Sequence, residues 1–164
     1  MAQLSYPVDQ PVAFPGLLAD LNDSKYIVSR ANEESEAMQF GIAVIEGTAD
    51  DQMLRVTNAA QPLAGVTVHD HTTEVGGDDA NLIDPNRMGG VLRRGTIYVQ
   101  VEDAVAKGGA PFVRVVAPGS EIIGQFRSDA DTGNARQMSN ARFATSAAAG
   151  EFAVLEFTEL SALL

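Results

Sequence analysis

The chain has 164 residues, no cysteine and a net charge of −11, and these totals exclude several classes of protein. Disulfides and thiolate metal sites are excluded because cysteine is absent. The 22 acidic residues against 11 basic ones are the opposite of the basic stripe that a nucleic-acid binder carries. No apolar run approaches the ~20 residues of a membrane helix, and no signal peptide is visible. We therefore expect one domain with neither a nucleic acid nor a membrane as a partner.

Residues 1–24 are predicted to form an extended N-terminal arm. Pro7, Pro11 and Pro15 recur every four residues, and each removes a backbone donor and biases the preceding residue towards an extended conformation. Disordered tails are usually poor in aromatic and branched apolar side chains, whereas this segment keeps many of them. We therefore expect the arm to dock, either on its own domain or on a partner. The candidate contact residues are Tyr6, Val8, Val12, Phe14, Leu17 and Leu18.

Residues 25–164 are predicted to form a single β-domain. Short runs of β-branched, aromatic and alternating apolar residues are separated by turn signals every ~8–12 residues. Strands are predicted at residues 25–30, 38–46 with a bulge at Gly41, 53–57, 63–69, 95–101, 112–116, 122–127 and 151–157, with shorter extended pieces at 136–139 and 141–145. Residues 70–90 are predicted to be a long polar loop with a contact or functional role. This pattern indicates an all-β fold, a small antiparallel β-barrel or jelly-roll-like sandwich.

The segment 95–116 is predicted to be the centre of this domain. Ile97, Val99 and Val101 alternate with polar or half-polar residues, as expected of a half-buried strand. A turn at Gly108 and Gly109 then precedes the strand at 112–116. Neither strand offers an obvious nucleophile or metal ligand, so the segment indicates a scaffold and not a reaction centre.

The two histidines suggest one metal-binding alternative. His69 and His71 are two residues apart and therefore share a strand face, and the carboxylate of Glu74 follows. This spacing resembles the cupin metal motif but departs from it, since only two residues separate His71 from Glu74 and the chain has no further histidine. Two solvated histidines at a strand end remain the preferred interpretation, with no metal and no cofactor expected.

Other sequence motifs for metal binding, phosphate binding or catalysis are absent or incomplete. Asp129, Asp131 and Gly133 resemble part of a calcium loop, but position 140 is Asn140 and no glutamate lies nearby, so a plain turn is predicted. Glycine-rich phosphate loops and the Gly-x-Ser-x-Gly nucleophile motif do not occur. We therefore expect a protein that is not an enzyme.

Three arginines, Arg87, Arg93 and Arg94, form a small basic cluster in this acidic chain. Ordinary salt bridges with nearby acidic residues would explain the cluster. Alternatively, they are interface residues that make bidentate contacts with carboxylates on a partner protein, a role for which arginine is better suited than lysine. Both interpretations stay open at this point.

The order of several segments is similar to that of the capsid cement, or decoration, proteins of tailed bacteriophages. The segments are the proline-rich arm, residues 40–44, 63–68 and 94–99, the turn at 108–109 before residues 112–113, and residues 141–150 followed by 152–157. The resemblance implies a β-rich module on the outer surface of an icosahedral head. It also implies oligomers, trimers more than dimers, that clamp neighbouring major capsid protein subunits. The family has no catalytic residues to transfer, and the arm residues become candidates for the capsid contact.

Two alternatives come from other functional classes. The first is a cupin-like metal-binding enzyme using His69, His71 and Glu74. The second is a carbohydrate- or receptor-binding β-module of a phage tail. Such modules usually present a cluster of exposed aromatic side chains, and this chain has no tryptophan and three tyrosines.

Overall fold

The computed structural model describes residues 13–57, 62–70 and 82–158, and most of its regular structure is short strands. The strands are β1 Ile27–Asn32, β2 Met38–Gln39, β3 Ala43–Glu46, β4 Gln52–Arg55, β5 Leu63–Val68, β6 Leu82–Ile83, β7 Met88–Leu92, β8 Gly95–Gln100, β9 Phe112–Arg114, β10 Phe126–Arg127, β11 Ala135–Gln137, β12 Ala141–Phe143 and β13 Phe152–Phe157. Two 3-10 helices, Leu21–Tyr26 and Asp131–Gly133, complete the described elements. The all-β prediction is confirmed.

Five strands close into a barrel in the order β1-β4-β3-β5-β7. Its neighbouring strands are antiparallel except β1 and β4, which pair in parallel through Ala31 with Gln52 and Asn32 with Met53. A closed ring with an odd number of strands cannot alternate direction at every step. The predicted small barrel is therefore present, but it is mixed and not purely antiparallel.

Three smaller sheets complete the fold. Strand β8 pairs with β13, which pairs with β12, and β9 lies between β10 and β11. The predicted alternation in β8 is confirmed, since Ile97 and Val99 are fully buried. Val101, just beyond the strand, is also buried and forms a parallel bridge with Phe126 that links two of the sheets. The third small sheet pairs β2 with β6.

The barrel and the small sheets share one large apolar core. This core combines barrel residues such as Ile45 and Leu92 with sheet residues such as Val113, Phe126 and Leu155. A second, smaller cluster around Met38, Phe40 and Ile83 packs beside it. Because the chain lacks tryptophan, Phe126, Phe143 and Phe157 are the largest apolar side chains that are fully buried.

The predicted strand at residues 25–30 is wrong at its start. Lys25 and Tyr26 belong to the 3-10 helix Leu21–Tyr26, and β1 begins only at Ile27. The carboxylate of Asp20 caps this helix by accepting a 2.9 Å hydrogen bond from the Asn22 amide. The cap satisfies a free amide of the first turn and so favours a helical start. The predicted boundary between arm and domain, at residue 24, falls inside this helix.

Two glycines shorten other predicted strands. Gly41 has φ +72° and divides the predicted strand 38–46 into β2 and β3. Gly124 has φ +92°, and only β10 forms within the predicted strand 122–127. A φ of about +70° to +90° lies in the left-handed region, which interrupts a strand, and glycine adopts this conformation at little cost.

The predicted loop at residues 70–90 is wrong in its second half. Residues 82–83 form β6 against β2, and residues 88–92 form β7 in the barrel wall. Gly89 and Gly90 lie within β7, and Gly89 lies against Ile83. A side chain at Gly89 would approach the Ile83 Cδ1 atom to 2.5 Å. Residues 71–81 lie outside the described residues.

Candidate functional site

The described part of the arm is attached to β8 like an additional strand. The amide of Gly16 donates to the Tyr98 carbonyl over 2.8 Å, and the Tyr98 amide donates to the Leu17 carbonyl over 2.8 Å. Ala19 continues the pattern by donating to the Thr96 carbonyl over 3.0 Å. Residues 13–19, which we call the arm root, thus cover the edge of β8 that would otherwise expose unpaired backbone groups.

Gly16 also joins the arm root to the barrel. Its carbonyl accepts a 2.8 Å hydrogen bond from the His69 amide, immediately after β5. Gly16 has φ +81°, and a Cβ atom there would lie 2.7 Å from the His69 nitrogen and 2.8 Å from the Thr67 carbonyl oxygen. Because the backbones approach this closely, the arm root is fixed between the barrel and the β8 sheet.

An apolar cleft of about 220 Å³ opens beside the arm root. The Phe14 ring stacks on His69 at 5.7 Å between ring centroids, and Phe40 meets the same imidazole edge-on at 5.0 Å. Phe14 is 45% exposed, whereas Phe40 is buried. The cleft is lined by Phe14, Pro15, Gln39, Phe40, Gly41, Ile42, His69, Leu82, Gln100, Ile122 and Gln125. The structure thus brings a candidate contact residue, Phe14, against His69, one of the residues of the metal-binding alternative.

One wall of the cleft carries a buried polar atom that lacks a partner among the described residues. The Oε1 atom of Gln39 is shielded from solvent and accepts no hydrogen bond there. Buried acceptors are normally satisfied, and leaving one unsatisfied costs about 1–3 kcal/mol. The cleft is therefore mainly apolar, and the unsatisfied Gln39 carbonyl lies behind its surface, where a donor reaches it only if the side chain turns towards the cleft.

A basic and aromatic patch lies at the 3-10 helix that follows the arm root. Lys25 Nζ lies 5.0 Å and Arg94 Cζ 4.8 Å from the centroid of the Tyr26 ring, which is within cation–π range. Leu21, at the start of the same 3-10 helix, is 81% exposed. Arg93 is attached to this helix by the hydrogen bond from its amide to the Tyr26 carbonyl, 3.1 Å long. Of the predicted interface arginines, Arg93 and Arg94 lie at this patch, whereas exposed Arg87 precedes β7.

The fold also contains an ion network around Arg114, which is 2% exposed. Its Nε donates to Glu102 Oε1 over 2.9 Å, and its Nη1 donates to Asp131 Oδ2 over 2.6 Å. Arg127 adds contacts to Glu102 at 3.1 Å and to Asp129 at 2.8 Å. The predicted turn at 129–133 is confirmed, and its carboxylates serve as arginine partners.

These contacts raise the pKa of Arg114 and lower the pKa of Asp131, so that both groups are held in their charged forms. The hydrogen bond with Glu102 raises the pKa of the Arg114 guanidinium above its ordinary value, so Arg114 stays charged. The hydrogen bond from Arg114 lowers the pKa of the Asp131 carboxyl below its ordinary value. The network therefore contains permanent positive charge and a carboxylate that resists protonation.

This pKa shift predicts a loss of stability in acid. A carboxyl whose pKa is lower in the folded state stabilises the fold above its unfolded pKa, and that stabilisation is lost as the pH falls through the folded value. We expect the Asp131 contribution to decline below about pH 4. Urea unfolding from pH 7 to pH 2.5 should show this decline in the wild type and a flatter acid limb in Asp131→Asn. Parallel curves for the two proteins would contradict the assignment.

Of the three residues named in the metal-binding alternative, the structure describes only His69. His69 packs between two aromatic rings, while His71 and Glu74 lie outside the described residues. Within residues 13–57, 62–70 and 82–158, no group of three histidine, aspartate or glutamate side chains is arranged to hold a metal ion. Among these same residues, no helix has the length and apolar character to span a membrane. Tyr6, Val8 and Val12 of the arm also fall outside the described residues.

Comparison with known proteins decides the family. The family model described as "Structural cement protein (E217 gp24/Pam3 gp6)" matches residues 2–158. The chain belongs to this structural cement protein family. The cement protein is also similar in fold to a chain from the capsid of Myoviridae phage XM1, with a TM-score of 0.70 at 14% identity. That alignment covers 97% of this chain and 98% of the other, and no curated protein matches the sequence.

The match confirms the predicted class of protein. The cement protein has a structural role in a phage virion, and its location is the capsid. The family assignment therefore favours the cement interpretation over a cupin-like enzyme and over a receptor-binding tail module. Membership in this family also implies that the protein associates with capsid proteins.

Three features of the cement protein were not predicted from the sequence. The Arg114 network joins residues that are 12 and 17 positions apart, although an arginine inside an apolar strand was a usable signal. The cleft joins residues from six separate segments, and no local sequence pattern predicts it. Gly16 was not singled out, although a glycine directly after Pro15 often marks a special backbone conformation.

Proposed function

We propose that the protein binds the outer surface of an icosahedral phage head and stabilises it by clamping neighbouring major capsid protein subunits. The observation that carries the proposal is the fixed arm root, which ties an apolar N-terminal segment to both the barrel and the β8 sheet. Because the arm root is attached to the folded body, an arm that binds a capsid subunit holds the folded body to that subunit. Stable protein interfaces bury about 1,200–2,000 Å², and an arm adds such area to a small domain.

Within the arm, the two ends have different roles in this proposal. Leu18 forms a bridge with Ile97 and packs on the protein's own core, so Leu17 and Leu18 attach the arm. Phe14 is partly exposed at the start of the root. We assign the capsid contact to Phe14 together with Tyr6, Val8 and Val12.

Self-association is assigned to the β-body, with a trimer preferred to a dimer. Several copies linked around a symmetry axis gain avidity for a repetitive surface. Arg87, Arg93 and Arg94 are the candidate interface residues, because the ion pairs of the described part use other arginines, namely Arg30, Arg114, Arg127 and Arg142. We also infer that the protein catalyses no reaction, an inference supported by the packing of His69 between Phe14 and Phe40.

Deletion of residues 2–12 tests the role of the arm. The deletion stops before Ala13, which is buried, so the root and its hydrogen bonds stay intact. We expect the apparent affinity for purified heads to fall about tenfold or more, a loss of at least ~1.4 kcal/mol, because the apolar contacts are removed. Co-sedimentation with heads that lack the protein measures this loss.

A matched variant separates apolar contact from simple chain length. Asp9→Ala with Gln10→Ala keeps the length and the apolar residues of the arm, and it should bind like the wild type. Tyr6→Ala, Val8→Ala and Val12→Ala together should reproduce the effect of the deletion. Unchanged occupancy after the deletion would refute the assignment of the capsid contact to the arm.

A further inference from the structure

We propose that the cleft formed by Phe14, Phe40 and His69 receives Tyr6 from a second copy of this chain, so that neighbouring copies exchange arms on the head. This inference rests on the proposed function, in which the arm makes contacts outside its own domain. It identifies a second copy of the chain as the partner of Tyr6. The segment between Tyr6 and Ala13 would then cross the capsid surface between two copies. The exchange thus moves Tyr6 and Phe14 from the capsid contact to a contact between copies, whereas Val8 and Val12, which lie in that segment, remain available for the capsid.

The chemistry of the cleft fits a tyrosine. Its walls supply two phenylalanine rings and an imidazole, and its volume of about 220 Å³ is sufficient for a phenol ring. Gln39 lines the cleft, and its buried Oε1 atom lacks a donor among the described residues, so a phenol hydroxyl supplies the missing donor once the amide turns towards the cleft. Tyr6 is the sole aromatic residue among residues 1–12, and the other apolar side chains there carry no donor.

The length and composition of the arm favour a second copy over the protein's own cleft. Residues 1–15 contain no glycine, while Pro7 and Pro11 bias Tyr6 and Gln10 towards extended conformations. At about 3.1 Å per residue, the seven steps from Tyr6 to Ala13 span roughly 22 Å. Phe14 itself forms a wall of the cleft, so reaching the protein's own cleft would require a reversal within residues 7–12.

The fixed arm root strengthens this argument. Gly16 is held by hydrogen bonds to both Tyr98 and His69, so the path from the arm root to a cleft starts at a fixed point. An extended reach of roughly 22 Å is comparable to the radius of a domain of this size, about 20 Å. The tip can therefore reach an adjacent copy that lies in contact with the first.

Cross-linking of the full chain tests the exchange, because the natural sequence contains no cysteine. The double variant Ser5→Cys with Gln125→Cys places one thiol beside Tyr6 and one at the cleft, which Gln125 lines. A short bis-maleimide is applied to the free protein and to the protein on heads, followed by denaturing electrophoresis. We expect covalent oligomers of the cement protein, and a mixture of the two single-cysteine variants should give covalent dimers.

A second pair of variants controls for chance proximity. In the double-cysteine background, Tyr6→Ala should reduce the yield of linked oligomers about tenfold, whereas Asp9→Ala, which keeps the apolar residues of the arm, should leave the yield nearly unchanged. A linked monomer, a link to the capsid protein alone, or no link in either state would each overturn the exchange. Wild-type co-sedimentation is measured in parallel: binding to heads without links between copies refutes the exchange only, whereas absent binding refutes the proposed function.

Discussion

Arg114→Met is expected to lower the free energy of unfolding by about 3 kcal/mol or more, the cost of breaking a buried ion pair by removing one partner. Arg114 is 2% exposed and donates to both Glu102 and Asp131. Methionine preserves much of the volume but leaves the Glu102 carboxylate, 11% exposed, with a single cation, Arg127, at 3.1 Å. Because Glu102 keeps its contact with Arg127, we expect the loss of unfolding free energy to lie near the lower end of the range for broken buried ion pairs. Urea unfolding monitored by circular dichroism measures the loss.

Arg142→Met is the matched control. Arg142 also pairs with a glutamate, Glu156, at 2.8 Å, but its side chain is 64% exposed. Exposed ion pairs contribute at most about 1 kcal/mol, so this variant should be nearly as stable as the wild type. Glu102→Leu in the Arg114→Met background should recover part of the stability, because it removes the carboxylate that was left behind. Equal losses for Arg114→Met and Arg142→Met would show that burial of the network contributes nothing.

The sequence was sufficient to predict the strands whose side-chain pattern is local. In β8 and β13 the apolar residues alternate, and Ile97, Val99, Ala153 and Leu155 are indeed buried. The sequence pattern also placed β5, where all six residues are buried because the strand lies inside the barrel wall. Strand prediction failed where a glycine adopts the left-handed conformation, as at Gly41 and Gly124, since a sequence does not reveal backbone dihedral angles.

The candidate site was less predictable because it depends on contacts between distant segments. Phe14, Phe40 and His69 lie 26 and 29 residues apart along the chain, and only the fold brings their rings together. The apolar character of the arm indicated docking. Composition alone did not distinguish the arm root, which pairs with the β8 sheet, from residues 1–12 before it. That division depends on the hydrogen bonds of Gly16 and Leu17 with Tyr98, which have no local sequence signature.

Gly16→Ala should destabilise the fold by about 3 kcal/mol and loosen the arm root. A left-handed conformation costs a non-glycine residue about 1–2 kcal/mol. The new methyl group would also lie 2.7–2.9 Å from backbone atoms of His69, Thr67 and Gly41, and overpacking of this kind costs typically 1–3 kcal/mol. Relief of the clash requires the arm to move away from the barrel. Hydrogen exchange at the Tyr98 and His69 amides, which donate to the arm root, should therefore accelerate.

Gly150→Ala isolates the conformational part of this cost. Gly150 has the same φ of +81°, but a Cβ atom there would meet no other atom within 4 Å. It should cost about 1–2 kcal/mol, without faster exchange at Tyr98 or His69. The difference between the two variants then measures the close approach of the arm to the barrel, and equal costs would mean that this approach is not what holds the arm. If the arm root connects the capsid-bound arm to the folded body, Gly16→Ala should also reduce the stabilisation of the head by the protein. Gly150→Ala should not reduce it.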